Sequence, residues 1–162
     1  MKWAGVSASM NDFQPNFLHR WTFDLETGGV SEEQLDDRSH AFPRVADDKV
    51  GLDYRYAYMV QPRSDSADDV TSPGVIAKWD NRSGSATAHD LGATAFPDEP
   101  VFVRAGDRSE DEGYVMSYVY DRSRDSSDLV ILDAADITAA PLAVVHLPRR
   151  VPHGFHGSFI PD

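Results

Sequence analysis

Apolar and polar positions alternate along this chain in short bursts, and almost no stretch carries the three-to-four-residue spacing of an amphipathic helix. The alternation is clearest in Tyr114-Val-Met-Ser-Tyr-Val-Tyr-Asp121. Runs of this kind predict strands over 18–25, 54–60, 74–80, 86–90, 101–104, 114–121, 128–133, 142–147 and 154–160. The breakers between them are explicit: Thr27-Gly-Gly29, Asn81-Arg-Ser-Gly84, Pro97-Asp-Glu-Pro100 and Arg122-Ser-Arg-Asp-Ser-Ser127. The pattern therefore predicts an all-β chain.

A weak repeat runs through it, in which an aromatic strand end meets an aspartate and then a polar turn: Phe23-Asp24, Trp79-Asp80 and Tyr120-Asp121. The spacings, 80 − 24 = 56 and 121 − 80 = 41, lie near the length of a propeller blade, so the three hairpins could be equivalent in successive blades, each turn closed by its Asp side chain. The same grammar also marks hairpins in general.

A formal net charge of -12 over 162 residues excludes a nucleic-acid partner, because phosphate binding needs a cationic face. The acid runs Glu32-Glu33, Asp36-Asp37, Asp47-Asp48, Asp68-Asp69 and Glu110-Asp-Glu112 fall between apolar segments, where solvated loops rather than calcium sites are expected. The chain has no cysteine, hence no disulfide and no thiolate metal site. No apolar run is long enough to cross a bilayer, and Met1–Met10 is too weakly apolar for a signal peptide, so a cytoplasmic protein is expected. There is no Gly-x-Ser-x-Gly elbow, no phosphate-cradling Gly-x-x-x-x-Gly-Lys loop and no His-Glu-x-x-His helix.

The remaining chemistry lies in the last seventeen residues, where His153 and His156 stand beside Gly154 and Gly157. Neutral imidazole is a common ligand for iron, zinc and copper, and neighbouring glycines leave its approach to an ion open. On spacing alone, two ordinary half-buried strand histidines are the favoured explanation of the pattern.

The wider sequence resembles the C-terminal third of the carotenoid cleavage oxygenase (retinal pigment epithelial membrane protein) family. The likeness runs through Leu18-His-Arg-Trp21, Asp24-Leu-Glu-Thr-Gly28, Phe42-Pro-Arg-Val45, Tyr54-Arg-Tyr-Ala-Tyr58, Glu99-Pro-Val-Phe-Val-Arg104, Glu110–Asp121, Asp128-Leu-Val-Ile-Leu-Asp-Ala134 and Val144-Val-His-Leu-Pro148 to the terminal histidines. The resemblance implies that residues 1–162 are the C-terminal blades of one seven-bladed β-propeller domain, with no separate second domain. It implies a non-haem dioxygenase that holds Fe(2+) with four histidines and cleaves a carbon–carbon double bond of a carotenoid or apocarotenoid with dioxygen. His156 matches the last iron ligand, and Glu99 matches a carboxylate that accepts a hydrogen bond from a ligand imidazole. The other three ligands would lie N-terminal to Met1, so the chain alone would lack activity and would need the missing blades.

The sequence departs from the family at one position. Where a second glutamate normally opens Glu-Phe-Pro-Arg, this chain reads Ala41-Phe42-Pro43-Arg44. His40 would point to the opposite face of a strand and so would not replace the lost carboxylate. His19, His40, His89 and His146 lie outside the ligand contexts and read as structural or surface residues. Alternation sets His153 on the face opposite His156, where it packs or supports the site; Arg149 and Arg150 are expected to pair with carboxylates, and Phe155, Phe159, Tyr114, Tyr118 and Tyr120 to pack between sheets. Two alternatives stay open: a non-catalytic β-module without metal, and, within the family, a stilbene-type substrate.

Overall fold

The computed structural model describes residues 16–63, 73–154 and 156–160; Met1–Met10, Asp68-Asp69 and Phe155 lie outside the described residues. Regular structure in them is eleven strands and one 3₁₀ turn, Asp47–Lys49, so the chain is all-β as its alternation predicts. No helix among the described residues is long and apolar enough to cross a membrane.

Three antiparallel sheets follow one another along the chain. β1 (Phe17–Phe23) and β2 (Val30–Ser39) form a hairpin. β3 (Ala41–Val45), β4 (Tyr56–Pro62), β5 (Gly74–Asp80) and β6 (Ser85–Asp90) meander in sequence order. In the third sheet, β7 (Ala95–Pro97) and β8 (Val101–Arg104) share one edge of β9 (Gly113–Asp121), and β10 (Ser126–Asp133) and β11 (Ala143–His146) follow on the other. Counting β7 and β8 as one interrupted strand gives two consecutive four-stranded meanders, the form of neighbouring propeller blades.

The middle sheet is covered on both faces, which explains why β4 reads as a continuous apolar run and not as an alternation. One face gives Tyr58 and Ile76 to a core completed by Phe102, Val115, Val119, Val130 and Leu132, with the Tyr58 and Phe102 rings stacked at 5.5 Å. The other gives Ala57, Met59, Ala77 and Trp79 to a smaller cluster under Leu18 and Leu35 of the first hairpin. The third sheet uses Val115, Val119, Val130 and Leu132 inward. Its opposite face carries Tyr114, Tyr118 and Val145, which are 41%, 46% and 47% exposed. The tyrosine alternation is thus real, but Tyr114 and Tyr118 lie on the side turned away from the middle sheet.

A buried ion pair ties the two large sheets together. Lys78 Nζ on β5 donates to Asp111 Oδ2 and to the Ala134 carbonyl, both at 2.6 Å, and lies 4.1 Å from the centre of the Tyr56 ring. Burial is the largest single influence on the Asp111 carboxylate and works against it, but the hydrogen bonds from Lys78 and Ser109 together with the Lys78 charge hold the carboxyl below its ordinary range.

The repeated aspartates do close their turns. Asp24 Oδ1 accepts from Glu26 N at 2.9 Å, Asp80 Oδ1 from Arg82 N at 2.8 Å and Asp121 Oδ1 from Ser123 N at 2.9 Å. Their equivalence between blades fails, however. Asp80 joins the third and fourth strands of its sheet, whereas Asp121 joins the second and third of the next. The position matching Asp80 is Asp133, whose Oδ1 accepts from Ala135 N at 2.9 Å.

The described residues of 154–160, which leave out Phe155, lie in no strand, contrary to the alternation reading. The N–H of His156 goes to the Gly154 carbonyl at 2.7 Å and that of Gly157 to a side chain, so neither enters a ladder. Neither glycine has a positive φ, and a Cβ at Gly157 would meet Val101 Cγ2 at an ordinary 3.6 Å.

Candidate metal-ligand site

The break between β7 and β8 builds the site. Pro97-Asp98-Glu99-Pro100 interrupts the edge strand because proline has no N–H to give the ladder, and Pro100 is itself fully buried. β9 still anchors the interruption. Asp98 N donates to the Tyr118 carbonyl at 2.8 Å, and Ser117 Oγ donates to the Asp98 carbonyl at 2.7 Å. Two successive carboxylates are thereby fixed against the C-terminal segment, and each meets one of its histidines.

His156 Nδ1 lies 3.2 Å from Glu99 Oε2, and the adjacent Gly157 N donates to the same oxygen at 3.0 Å. His153 Nδ1 lies 3.1 Å from Asp98 Oδ1, with its ring edge-on to Tyr120 at 6.2 Å. The Glu99 side chain is 8% exposed, whereas the His156 side chain is 81% exposed. A carboxylate at that depth needs compensation. Arg44 supplies it: Nε stands 3.5 Å from Glu99 Oε1, Nη1 donates to the Gly157 carbonyl and Nη2 donates to Asp47 Oδ1 at 2.8 Å.

Arg44 reaches the site through an irregular β3. Phe42 adopts φ 54, in the left-handed region that bulky residues avoid, and the β3–β4 register shifts between Ala41 and Arg44. The bulge also sets the Phe42 ring edge-on to the His156 ring, with centroids 6.1 Å apart. The segment that lacks the expected carboxylate at Ala41 thus still delivers two side chains to the site. His40 is buried, with Nε2 3.1 Å from Asp36 Oδ2, and burial lowers its pKa.

The other histidines are engaged elsewhere. His19 Nδ1 lies 2.9 Å from Glu32, His89 Nδ1 2.9 Å from the Ile137 carbonyl and His146 Nδ1 2.8 Å from Asp128. The Arg150 guanidinium lies over the Tyr120 ring at 4.3 Å and so makes a cation–π contact where a carboxylate pair was expected. An open apolar cleft beside Glu99 is lined by Val101, Met116, Tyr118, Leu129 and Phe159. Phe159 is 48% exposed, so it borders this cleft and is not packed between sheets.

With Nδ1 facing a carboxylate, the imidazole of His156 is suited to carry its proton there and to offer Nε2 to a metal. The residues present fit one vertex of a metal site. Among the described residues, no three histidine, aspartate or glutamate side chains are grouped to hold an ion. Sequence reasoning singled out His156 and Glu99, which the structure brings into contact, and did not single out Asp98 opposite His153 or Arg44 behind Glu99.

Comparison with known proteins gives the context for this single vertex. The sequence profile of the retinal pigment epithelial membrane protein family matches residues 3–161. The carotenoid cleavage oxygenase of Mycobacterium tuberculosis is 39% identical over 155 residues, covering 93% of this chain and 30% of the relative. Apocarotenoid-15,15'-oxygenase of Synechocystis is 34% identical over 154 residues, covering 94% and 31%. The crystal structure of the cobalt-substituted Synechocystis enzyme superposes with a TM-score of 0.86 at 33% identity, covering 96% of this chain and 32% of that one. The chain spans about a third of the length of the relatives it matches. With a profile match across nearly its whole sequence and a fold shared at that score, the chain belongs to the retinal pigment epithelial membrane protein family of carotenoid oxygenases.

Proposed function

We propose that this chain supplies one histidine ligand, His156, and its supporting carboxylate, Glu99, to a non-haem iron centre that cleaves a carotenoid or apocarotenoid double bond. The observation that carries the reading is the 3.2 Å approach of His156 Nδ1 to a buried carboxylate, on an imidazole whose remaining edge is exposed. Glu99 accepts a hydrogen bond from Nδ1–H, which fixes the tautomer and keeps a negative charge beside an otherwise neutral ligand. Gly157 N, bound to the same oxygen, holds the backbone next to the ligand, and the Phe42 ring limits its rotation. Fe(2+), when bound, supplies the redox capacity that lets ground-state dioxygen react with a closed-shell polyene, so that each carbon of the broken double bond takes one oxygen atom as a carbonyl.

One imidazole does not retain ferrous iron, because affinity comes from several preorganised ligands. Residues 1–162 then act as the C-terminal blades of one propeller domain, inactive without the others. The cysteine-free sequence suits a reducing compartment, and we assign the protein to the cytoplasm. The lone vertex is also what a metal-free β-module would show, so the test must separate the two.

The chain joined to the N-terminal two thirds of the Synechocystis apocarotenoid oxygenase is expected to convert an apocarotenoid to two carbonyl products. The isolated chain is expected to convert none, and His156→Ala to bring the joined protein to background. Equal turnover by the His156→Ala protein would refute the role of this residue. Turnover of a stilbene but not a polyene would move the substrate class.

A further inference from the structure

Glu99 and Gly157, the two groups that meet beside the His156 ring, are joined by one arginine, Arg44. Glu99 Oε2 is taken by His156 Nδ1 and Gly157 N, which leaves Oε1 facing Arg44 Nε at 3.5 Å. The same guanidinium donates from Nη1 to the Gly157 carbonyl and from Nη2 to Asp47 Oδ1 at 2.8 Å. Both backbone polar groups of the residue after His156 are therefore tied to one Glu99–Arg44 pair. A planar fork can serve a carboxylate, a carbonyl and a second carboxylate at fixed angles, which an ammonium cannot do. Its side chain is 22% exposed and arrives from β3, a different sheet from Glu99.

We propose that Arg44 is a positioning residue for His156: by fixing the Glu99 carboxylate and the Gly157 carbonyl together, it holds the imidazole in the Nδ1–H tautomer with Nε2 free. The functional meaning of this device rests on His156 being a metal ligand, but the tautomer itself does not. Arg44 touches neither metal nor substrate in this scheme. With the guanidinium removed, Glu99 keeps its desolvation and loses the Arg44 cation that faces it, so the carboxylate swings toward water and the Nδ1–H bond lapses.

The test is long-range 1H–15N NMR of the histidine side chains in the full 162-residue chain at pH 8, where an ordinary imidazole is neutral. In the unaltered chain His156 is expected to be protonated at Nδ1. Arg44→Gln should lower the Nδ1–H to Nε2–H ratio by about tenfold or more, as loss of a hydrogen bond to a charged group implies. Arg44→Lys, which keeps the charge without the fork, should restore it only in part. His89, bonded to Ile137, reports whether each variant is folded. If Arg44→Gln does not fold, Asp47→Asn loosens the same guanidinium from an exposed position and should shift the ratio the same way by less.

An unchanged His156 tautomer in folded Arg44→Gln, alongside a changed one in Glu99→Gln, would overturn the proposal. These outcomes are separable from the metal reading. Iron lost on His156→Ala with an Arg44-independent tautomer removes only the positioning role, and the converse removes only the ligand.

Discussion

The pair Lys78–Asp111 sets the relative position of the sheets that carry Arg44 and Glu99, and its removal has a calculable cost. Lys78 sits on β5, while Asp111 and Ala134 flank β9 and β10. Their side chains are 8% and 12% exposed, so neither charge is well solvated. Asp111→Asn leaves an ammonium with one carbonyl and the face of Tyr56. Breaking a buried pair from one side costs roughly 3–5 kcal/mol. Because the carbonyl at 2.6 Å and the ring at 4.1 Å remain, the expected loss lies at the lower end, about 3 kcal/mol. In a domain of this size that lowers Tm by roughly 6–12 °C. Lys78→Met should cost a similar amount by stranding the carboxylate, and the double variant should recover a coupling energy of roughly 1–3 kcal/mol. Urea unfolding at pH 7 of the four proteins gives the cycle. Two single substitutions costing under about 1 kcal/mol each and adding in the double variant would refute the assignment of this pair as a buried tie.

Three further outcomes follow from burial and protonation. Leu132→Ala, at a fully buried site between the two large sheets, should cost about 2–5 kcal/mol in the same urea assay, and a loss under about 1 kcal/mol would contradict the core described here. Asp80 is held at about 2, first by its hydrogen bond from Arg55, against an ordinary value of 3.8. A depressed carboxyl stabilises the fold above the unfolded pKa and loses that contribution as pH falls from about 4 to 2. Asp80→Asn should flatten stability against pH in that window. His40 is held below its ordinary 6.5, chiefly by burial, so its folded state prefers the neutral ring and stability falls as pH drops below 6.5. His40→Gln should remove that slope; an unchanged slope between pH 6.5 and 5 would place it on another group.

The strands that sequence reading located best are those packed on one or two apolar layers, such as β5 and β9. β2 escaped because Val30–Ser39 carries only two apolar residues, Val30 and Leu35, and lies as one arm of a largely exposed hairpin. β3 escaped because Pro43 and the left-handed Phe42 break its period. At 154–160 the parity argument failed because backbone groups there bond to Gly154 and Glu99, so His153 and His156 are not opposed faces of a strand but neighbours on two adjacent carboxylates. Turn closure by Asp24, Asp80 and Asp121 was legible because it is local, five residues or fewer. Their equivalence was not, since it depends on which strands pair. Arg44 stood in the Phe42-Pro-Arg-Val45 likeness, but its contacts were not legible: they arise from the meeting of β3 with the β7–β8 break, and one sequence does not show which segments meet.

Iron content tests the central claim most directly. The chain joined to the N-terminal two thirds of the Synechocystis relative is purified without oxygen, reloaded with ferrous salt and assayed by elemental analysis, beside His156→Ala and Glu99→Gln forms of matched circular dichroism. The account predicts near-stoichiometric iron, its loss in His156→Ala, and an affinity reduced by roughly ten- to a hundredfold in Glu99→Gln. Iron retained at the unaltered level by the His156→Ala protein would contradict it.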